Sequence, residues 1–242
     1  MLSGKVSIRD NIERVRRRIG EAARRAGRDP ADVQLLVVAK TRSLDEIRQV
    51  YEAGQRLMGF NRVQEAQEKI PQLPSEFVWQ MIGHIQMNKA KLIPRLFRMA
   101  HSVDSVRLAT ALNEAISKTM DTPRFDILLE INVSGEESKY GLRPEETEAA
   151  LSEIARMDGL RVCGLMTMAP FVENPERTRP VFRGLRDLRD QTRDKLLRAL
   201  GEPASAIAPL DHLSMGMTND FEIAIEEGAT IVRVGTAIFE GK

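Results

Sequence analysis

One cysteine, one tryptophan and two tyrosines are all that these 242 residues contain of those types. A single thiol, Cys163, has no partner for an internal disulfide, so a disulfide-stapled fold is excluded and a reducing, cytosolic compartment is expected. Long apolar runs are missing as well. The uncharged apolar stretches, such as 35–39 and 127–129, are strand-sized and fall far short of the ~20 residues that a bilayer span needs. The first ten residues lack the apolar core of a secretory signal, and Asp10 and Glu13 argue against a transit peptide. No excess of one charge exists either. The 36 Lys+Arg face 35 Asp+Glu, and a net charge of +1 sets up no global field for nucleic acid or an anionic membrane. What remains, 42% hydrophobic and 29% charged, is the make-up of a globular chain that can bury a full core.

Residues 7–28 read as an opening helix. Ser7 can cap it with Asp10 reaching back, and Ile8, Ile12, Val15, Ile19 and Ala23 form one apolar stripe. The other faces carry Arg14, Arg16, Arg17, Arg18, Arg24 and Arg25, which fits a solvated outer surface with neighbouring acids. A basic helix touching RNA or a membrane surface is the alternative. From residue 34 onward, short apolar runs alternate with amphipathic stretches. Strands are expected at 34–39, 56–60, 77–82, 99–103, 125–133, 161–166, 209–213 and 230–234. Each interval has room for a strand, a turn, a helix and a return loop. Ser43 and Glu46 form a capping box for a helix that Gly54 closes, a second helix is expected at 219–227 before Gly228, and a charged one near 181–200. No Gly/Ser-rich linker divides the chain, so one domain over 1–242 is expected, with 1–29 packed outside it.

Eight βα units in about 250 residues indicate a (β/α)8 TIM barrel with an added N-terminal helix. A doubly wound open sheet competes, but it calls for a glycine-rich phosphate turn after the first strand, and VVAKTRS has no glycine. In such barrels function collects where strands end. The residues just past the expected strands are Lys40, Asn61, His84, Asp104, Ser134, Thr167, Ser214 and Gly235, with Arg233 inside the last strand. Lys40 follows five apolar residues, so a partly desolvated, nucleophilic amine is one reading and a lysine that snorkels to solvent is the other. The loops after strands seven and eight usually form a phosphate site in this fold, and here they carry LSMGMTND and VRVGTAIFEGK. Ser214, Gly235 and Thr236 could grip a phosphate, although capping alone explains the serine and threonine taken singly. A phosphate grip facing an amine suits a ligand with both phosphate and aldehyde, such as pyridoxal 5′-phosphate.

The segments VVAKT (37–41), YEAGQR (51–56), NRVQEAQEKI (61–70), IGHIQMNK (82–89), INVSGEESKYGL (131–142), GLMTMAP (164–170), LSMGMTNDFEIAIEEGAT (213–230) and VRVGTAIFEG (232–241) run through most of the chain. In their order and spacing the sequence resembles the pyridoxal phosphate homeostasis proteins (YggS/PROSC type), single-domain relatives of the alanine racemase barrel. The resemblance implies that Lys40 forms a covalent aldimine with the cofactor aldehyde. It implies that Ser214, Gly235 and Thr236 hold the phosphate, Arg233 lies beside the pyridine nitrogen, and Asn61 lies near the ring hydroxyl. His84 and Met166 would line the pocket; without the resemblance they read as a loop histidine and a core residue. Two positions depart from the family pattern. Phe60 replaces a usual glutamate, removing a carboxylate expected near the pocket, and Gln80 replaces a usual histidine after Trp79.

Two functions remain to be separated. A racemase needs a base on each face of the bound substrate, and the related racemases bring a tyrosine from a second, all-β domain. This chain ends at Lys242, and its tyrosines, Tyr51 and Tyr140, are expected on an outer helix and a loop. An arginine against the pyridine nitrogen also keeps that nitrogen unprotonated and weakens the ring as an electron sink. The expectation is therefore a protein that stores, buffers or delivers pyridoxal phosphate with little or no catalysis. Apo pyridoxal-phosphate enzymes would be its recipients, the state would be monomeric, and neither nucleic acid nor membrane would be a partner. A one-domain amino-acid racemase or lyase is the alternative.

Overall fold

A computed structural model of the chain describes residues 7–117, 124–136, 139–200 and 206–241. Eight parallel strands close into a barrel in chain order: β1 (Gln34–Val38), β2 (Leu57–Phe60), β3 (Val78–Met81), β4 (Met99–Val103), β5 (Phe125–Glu130), β6 (Leu160–Met166), β7 (His212–Ser214) and β8 (Ile231–Val234). Closure runs through β1 and β8, from Gln34 opposite Ile231 to Val37 opposite Val234. The helices are α1 (Ile8–Arg25), α2 (Leu44–Glu52), α3 (Val63–Lys69), α4 (Ile93–Leu96), α5 (Val106–Ser117), α6 (Thr147–Ile154), α7 (Arg179–Leu200), α8 (Phe221–Glu226) and α9 (Thr236–Phe239). The (β/α)8 barrel with its added N-terminal helix is what the sequence predicted.

The strand period of two sorts each strand into an inner and an outer row. Outer-row residues such as Val37, Met58, Trp79, Ile127, Leu165 and Val232 join the helices in one apolar core. Parallel strands buried on both faces therefore read as nearly continuous apolar runs. Inside the barrel, Leu36, Ile82 and Ile231 form one apolar cluster, and Met99, Leu128, Cys163 and Met166 form another. Both predicted capping boxes are present, at Ser7–Asp10 for α1 and Ser43–Glu46 for α2. Helix α1 lies against α8 and α9, where the buried Asn11 amide donates to the Ile238 carbonyl at 2.8 Å.

Two expected strands need correction. The fifth ends at Glu130 rather than 133, because Asn132 Oδ1 accepts the Gly135 N–H at 3.1 Å and turns the chain. Ser134 consequently belongs to that turn and not to a strand end. The seventh begins at His212, not 209, because Leu210 has φ 53 and cannot lie in an extended strand. Ser214 is thus the last residue of β7 and faces the barrel interior, not the loop beyond it.

The arginines of α1 are mostly committed to the protein itself. Arg18 pairs with Glu222 and Arg25 with Glu226 on α8, Arg16 donates to Gln55, and Arg9 donates to the Glu52 carbonyl. They act as fasteners between helices. Among the described residues no helix is long and apolar enough to cross a membrane.

Candidate functional site

A cavity of about 540 Å³ opens at the C-terminal ends of the strands. Lys40, Thr41 and Arg42 line one side, after β1. Met217, Thr218 and Asp220 come from the loop after β7, and Arg233, Gly235 and Thr236 from the end of β8. The β6–α7 connection adds Pro170, Phe171 and Val172. Four of the residues singled out in the sequence, Lys40, Arg233, Gly235 and Thr236, thus meet on one surface.

Lys40 is exposed rather than partly desolvated, because the strand ends before it and the turn lifts it into the open cavity. That turn is strained. Thr41 has φ 57, a conformation that a β-branched residue rarely adopts. Its N–H donates to Glu65 Oε1 at 3.1 Å, and Lys69 Nζ reaches the Arg42 carbonyl at 2.6 Å and Glu65 Oε1 at 3.2 Å. Helix α3 therefore holds the turn that presents Lys40. Glu65 Oε2 is buried with no hydrogen-bond partner.

The opposite wall offers donors. Thr236 opens α9, so its N–H has no acceptor within the helix. The Thr218 hydroxyl accepts the Ala237 N–H at 3.4 Å, drawing the two loops together. Gly216 has φ 89, and a Cβ there would lie 2.6 Å from the Ala224 Cβ, so glycine is required for this loop to pass over α8. Asp220 Oδ1 accepts the Met217 N–H at 2.6 Å and fixes the loop's shape. Burial raises the Asp220 carboxyl from its ordinary value, opposed by that hydrogen bond and by Arg233.

Below the cavity lies a buried polar layer. Arg233 donates to Ser214 Oγ at 2.6 Å and to the Thr167 carbonyl at 3.0 Å. Ser214 Oγ also lies 2.9 Å from His101 Nδ1, and His101 Nε2 lies 2.7 Å from Gln80 Oε1. Burial brings the Arg233 guanidinium down to about 10, offset by Glu130 and Asp220, so it stays cationic at neutral pH. His101 falls well below the usual histidine value through burial, with Arg233 and His212 adding to the shift, and is neutral. Burial raises Glu130 to about 7, with Asp104 contributing and Arg233 opposing.

The other predicted residues sit elsewhere. Ser214 is fully buried beneath Arg233 and does not line the cavity. Met166 belongs to the interior apolar cluster. His84 lies on the same barrel end, with Nδ1 3.3 Å from the Asp104 carboxylate and its ring stacked on Tyr140 at 3.9 Å, but it does not border this cavity. Asn61 is also off the cavity lining, although its Oδ1 is buried without a partner. A Cβ on Gly83 would lie 2.2 Å from the Asn61 carbonyl, so the loops after β2 and β3 touch there.

Phe60 corrects an expectation. It belongs to the outer row of β2 and stacks on Trp79 at 5.0 Å between barrel and helices, so residue 60 does not face the pocket. Thr218, His101 and Glu130 were missed as site residues. A hydroxyl inside a glycine-containing loop signals the first, and polar residues on the inner rows of β4 and β5 signal the others.

The alanine racemase N-terminal domain family matches residues 7–242. The pyridoxal phosphate homeostasis protein of Aquifex aeolicus is 40% identical over 231 residues, covering 95% of this chain and 96% of that one. The human protein of the same name is 37% identical, covering 98% and 88%. The chain belongs to the pyridoxal phosphate homeostasis family, within the alanine racemase N-terminal domain group. Among solved structures, PipY of Synechococcus elongatus with pyridoxal phosphate bound superposes with a TM-score of 0.75 at 31% identity, covering 91% of this chain and 99% of PipY. Alanine racemase of Corynebacterium glutamicum, at 16% identity and a TM-score of 0.63, shares the barrel; it covers 94% of this chain, which spans 60% of that enzyme.

Proposed function

We propose that this chain binds pyridoxal 5′-phosphate through a covalent aldimine on Lys40 and stores, buffers or delivers it in the cytoplasm, with little or no catalysis. One observation carries the reading: Lys40 faces Thr218, Arg233, Gly235 and Thr236 across a single cavity. The volume of about 540 Å³ lies within the range of small-molecule sites, roughly 300–1,000 Å³. The residues present fit the group. The amine suits an aldehyde, the Thr218 and Thr236 hydroxyls and the free N–H of Thr236 suit a phosphate, and three of the five N–H donors of Arg233 remain after Ser214 and Thr167 take two. When bound, pyridoxal phosphate supplies an aldehyde that condenses with a lysine amine and releases water. Relatives named for pyridoxal phosphate homeostasis, and PipY with that cofactor bound, support the assignment.

Storage or delivery is favoured over racemase chemistry by the groups on the cavity wall. The other acids there are committed, Asp220 to the Met217 N–H and Glu240 to Arg42. A cationic Arg233 beside the ring nitrogen would oppose its protonation. In this reading Ser214, Asn61, His84 and Met166 support the cofactor site from outside the cavity lining, apo pyridoxal-phosphate enzymes receive the cofactor, and the chain works as a monomer.

Intact mass after incubation with pyridoxal phosphate and borohydride reduction tests the assignment. A reduced adduct that maps to Lys40 and vanishes in Lys40→Ala is expected. An unmodified native chain would remove the assignment. Solvent deuterium entering the α-position of an amino acid at a catalytic rate would favour the racemase instead.

A further inference from the structure

Arg233, Ser214, His101 and Gln80 form a continuous chain of buried hydrogen bonds from the cavity wall into the barrel interior. Each member is nearly or fully buried, at 4%, 0%, 0% and 5% exposure. The direction of every bond follows from the two ends. A guanidinium can only donate, so Ser214 Oγ accepts from Arg233. At the other end Gln80 presents its carbonyl oxygen, so His101 Nε2 carries the ring proton. His101 is neutral, which leaves Nδ1 as an acceptor, and the Ser214 hydroxyl must point its proton there.

We propose that Gln80 and His101 are positioning residues for Arg233: by fixing the histidine tautomer they commit the Ser214 proton to His101 and keep the Ser214 oxygen free to anchor the guanidinium. The reverse polarity would have His101 Nδ1 donate to Ser214. Two donors would then converge on one hydroxyl, and its proton would be turned elsewhere. Arg233 would share its anchor, and its remaining N–H groups would lose their fixed aim. Gln80, an amide, selects the polarity without adding a titratable group to the layer. The Thr167 carbonyl pins the guanidinium from the other side, so its plane is held at two points. Preorganisation of this kind spares a bound ring or phosphate the cost of ordering a long side chain.

The proposal rests on Arg233 facing bound pyridoxal phosphate, and the experiment has two arms that fail differently. In the first, the side-chain nitrogens of the three histidines are observed by ¹⁵N NMR in the full chain without ligand. The expected result is a neutral Nε2–H tautomer for His101 at pH 7. An Nδ1–H tautomer or an imidazolium there overturns the proposal whatever the chain binds.

In the second arm, pyridoxal phosphate is titrated into the native chain, Gln80→Leu, Ser214→Ala and the double variant, following both Kd and the absorbance of the bound cofactor. Each single variant is expected to raise Kd about tenfold and shift the absorbance band. The double variant should be little worse than either, because both break one chain. Gln80→His, which restores an acceptor, should recover most of the affinity. Native binding with Gln80→Leu unchanged in Kd and band overturns the proposal alone. A native chain that takes up no pyridoxal phosphate overturns the reading beneath it as well. Should Gln80→Leu fail to fold, Ser214→Ala and the native tautomer still decide.

Discussion

Glu65 Oε1 accepts the N–H of Thr41 at 3.1 Å, one residue beyond Lys40. The contact ties a helix that contributes nothing to the cavity wall to the residue whose amine opens onto it. A left-handed threonine costs about 1–3 kcal/mol and persists only where its surroundings enforce it. Glu65 and Lys69 are that enforcement.

Glu65→Ala should therefore relax the turn and misplace Lys40. The expected outcome is a loss of about 1–3 kcal/mol in stability, from the unpaired N–H and the lost ion pair. Lys40 modification by limiting pyridoxal phosphate, trapped by borohydride, should also slow several-fold. Native-like trapping kinetics in a folded variant would separate Glu65 from the presentation of Lys40.

Glu227 is the hub that binds α7 to the β7–β8 connection. Its side chain is 5% exposed and receives Arg179, Arg183 and Arg186 at 3.0–3.2 Å. Burial pushes its carboxyl up, but hydrogen bonds from Arg183 and Arg179, with Arg183 and Arg186 nearby, hold it below the ordinary value. A lowered carboxylate contributes stability that is present above its unfolded value of 4.5 and lost as pH falls through the folded one. Glu227→Gln should cost about 2 kcal/mol at pH 7, less than a fully buried pair because the arginines keep some contact with water. The deficit should shrink on acidification below pH 4.5. Urea melts at pH 7 and pH 4 measure both, and a deficit independent of pH would assign the loss to packing.

Cys163 sits inside the barrel at 4% exposure, and burial, with Asp126 adding to it, pushes its thiol up to about 12. A thiol that is neither exposed nor ionised is a poor nucleophile. Iodoacetamide at pH 8 should leave the native chain unlabelled and label it fully in urea. Rapid labelling of the folded protein would mean that the barrel interior opens to solvent.

The eight strands were legible because each is buried on both faces and reads as an apolar run. Their ends were not, where an apolar residue sits in a turn. Leu210 looked like strand until its positive φ, and Val133 until Asn132 folded the chain back on itself. Lys40, Arg233, Gly235 and Thr236 were legible because strand ends in this fold converge on one face. Ser214 is expected just past β7, but the strand ends one residue later than expected, at Ser214 itself, which turns the side chain into the barrel. His101 and Glu130 were hidden for a different reason. His101 lies in the middle of β4 and Glu130 ends β5 after two leucines, and only the inner row of the closed barrel brings their polar atoms to the floor beneath Arg233. Phe60 shows the same rule from outside: its row, not its neighbour Asn61, decides what it touches.

Glu130 gives the clearest dependence on pH. Its carboxyl stands at about 7 in the folded chain, through burial first and Asp104 second, against an unfolded value of 4.5. Between those values the folded state holds a proton that the unfolded state has released. The contribution to stability is therefore complete below pH 4.5 and is lost as pH rises through 7. Glu130→Gln keeps the shape and stays neutral, so it should match the native chain at pH 4.5 and exceed it at pH 8, by up to ~3 kcal/mol. Urea denaturation at the two pH values reads the difference directly. A variant equally displaced at both would move the titration to another group, with Asp104 the nearest candidate. A gain confined to high pH would instead establish that Glu130, beside the arginine that faces the cavity, gives up its proton at a higher pH in the folded chain than in the unfolded one.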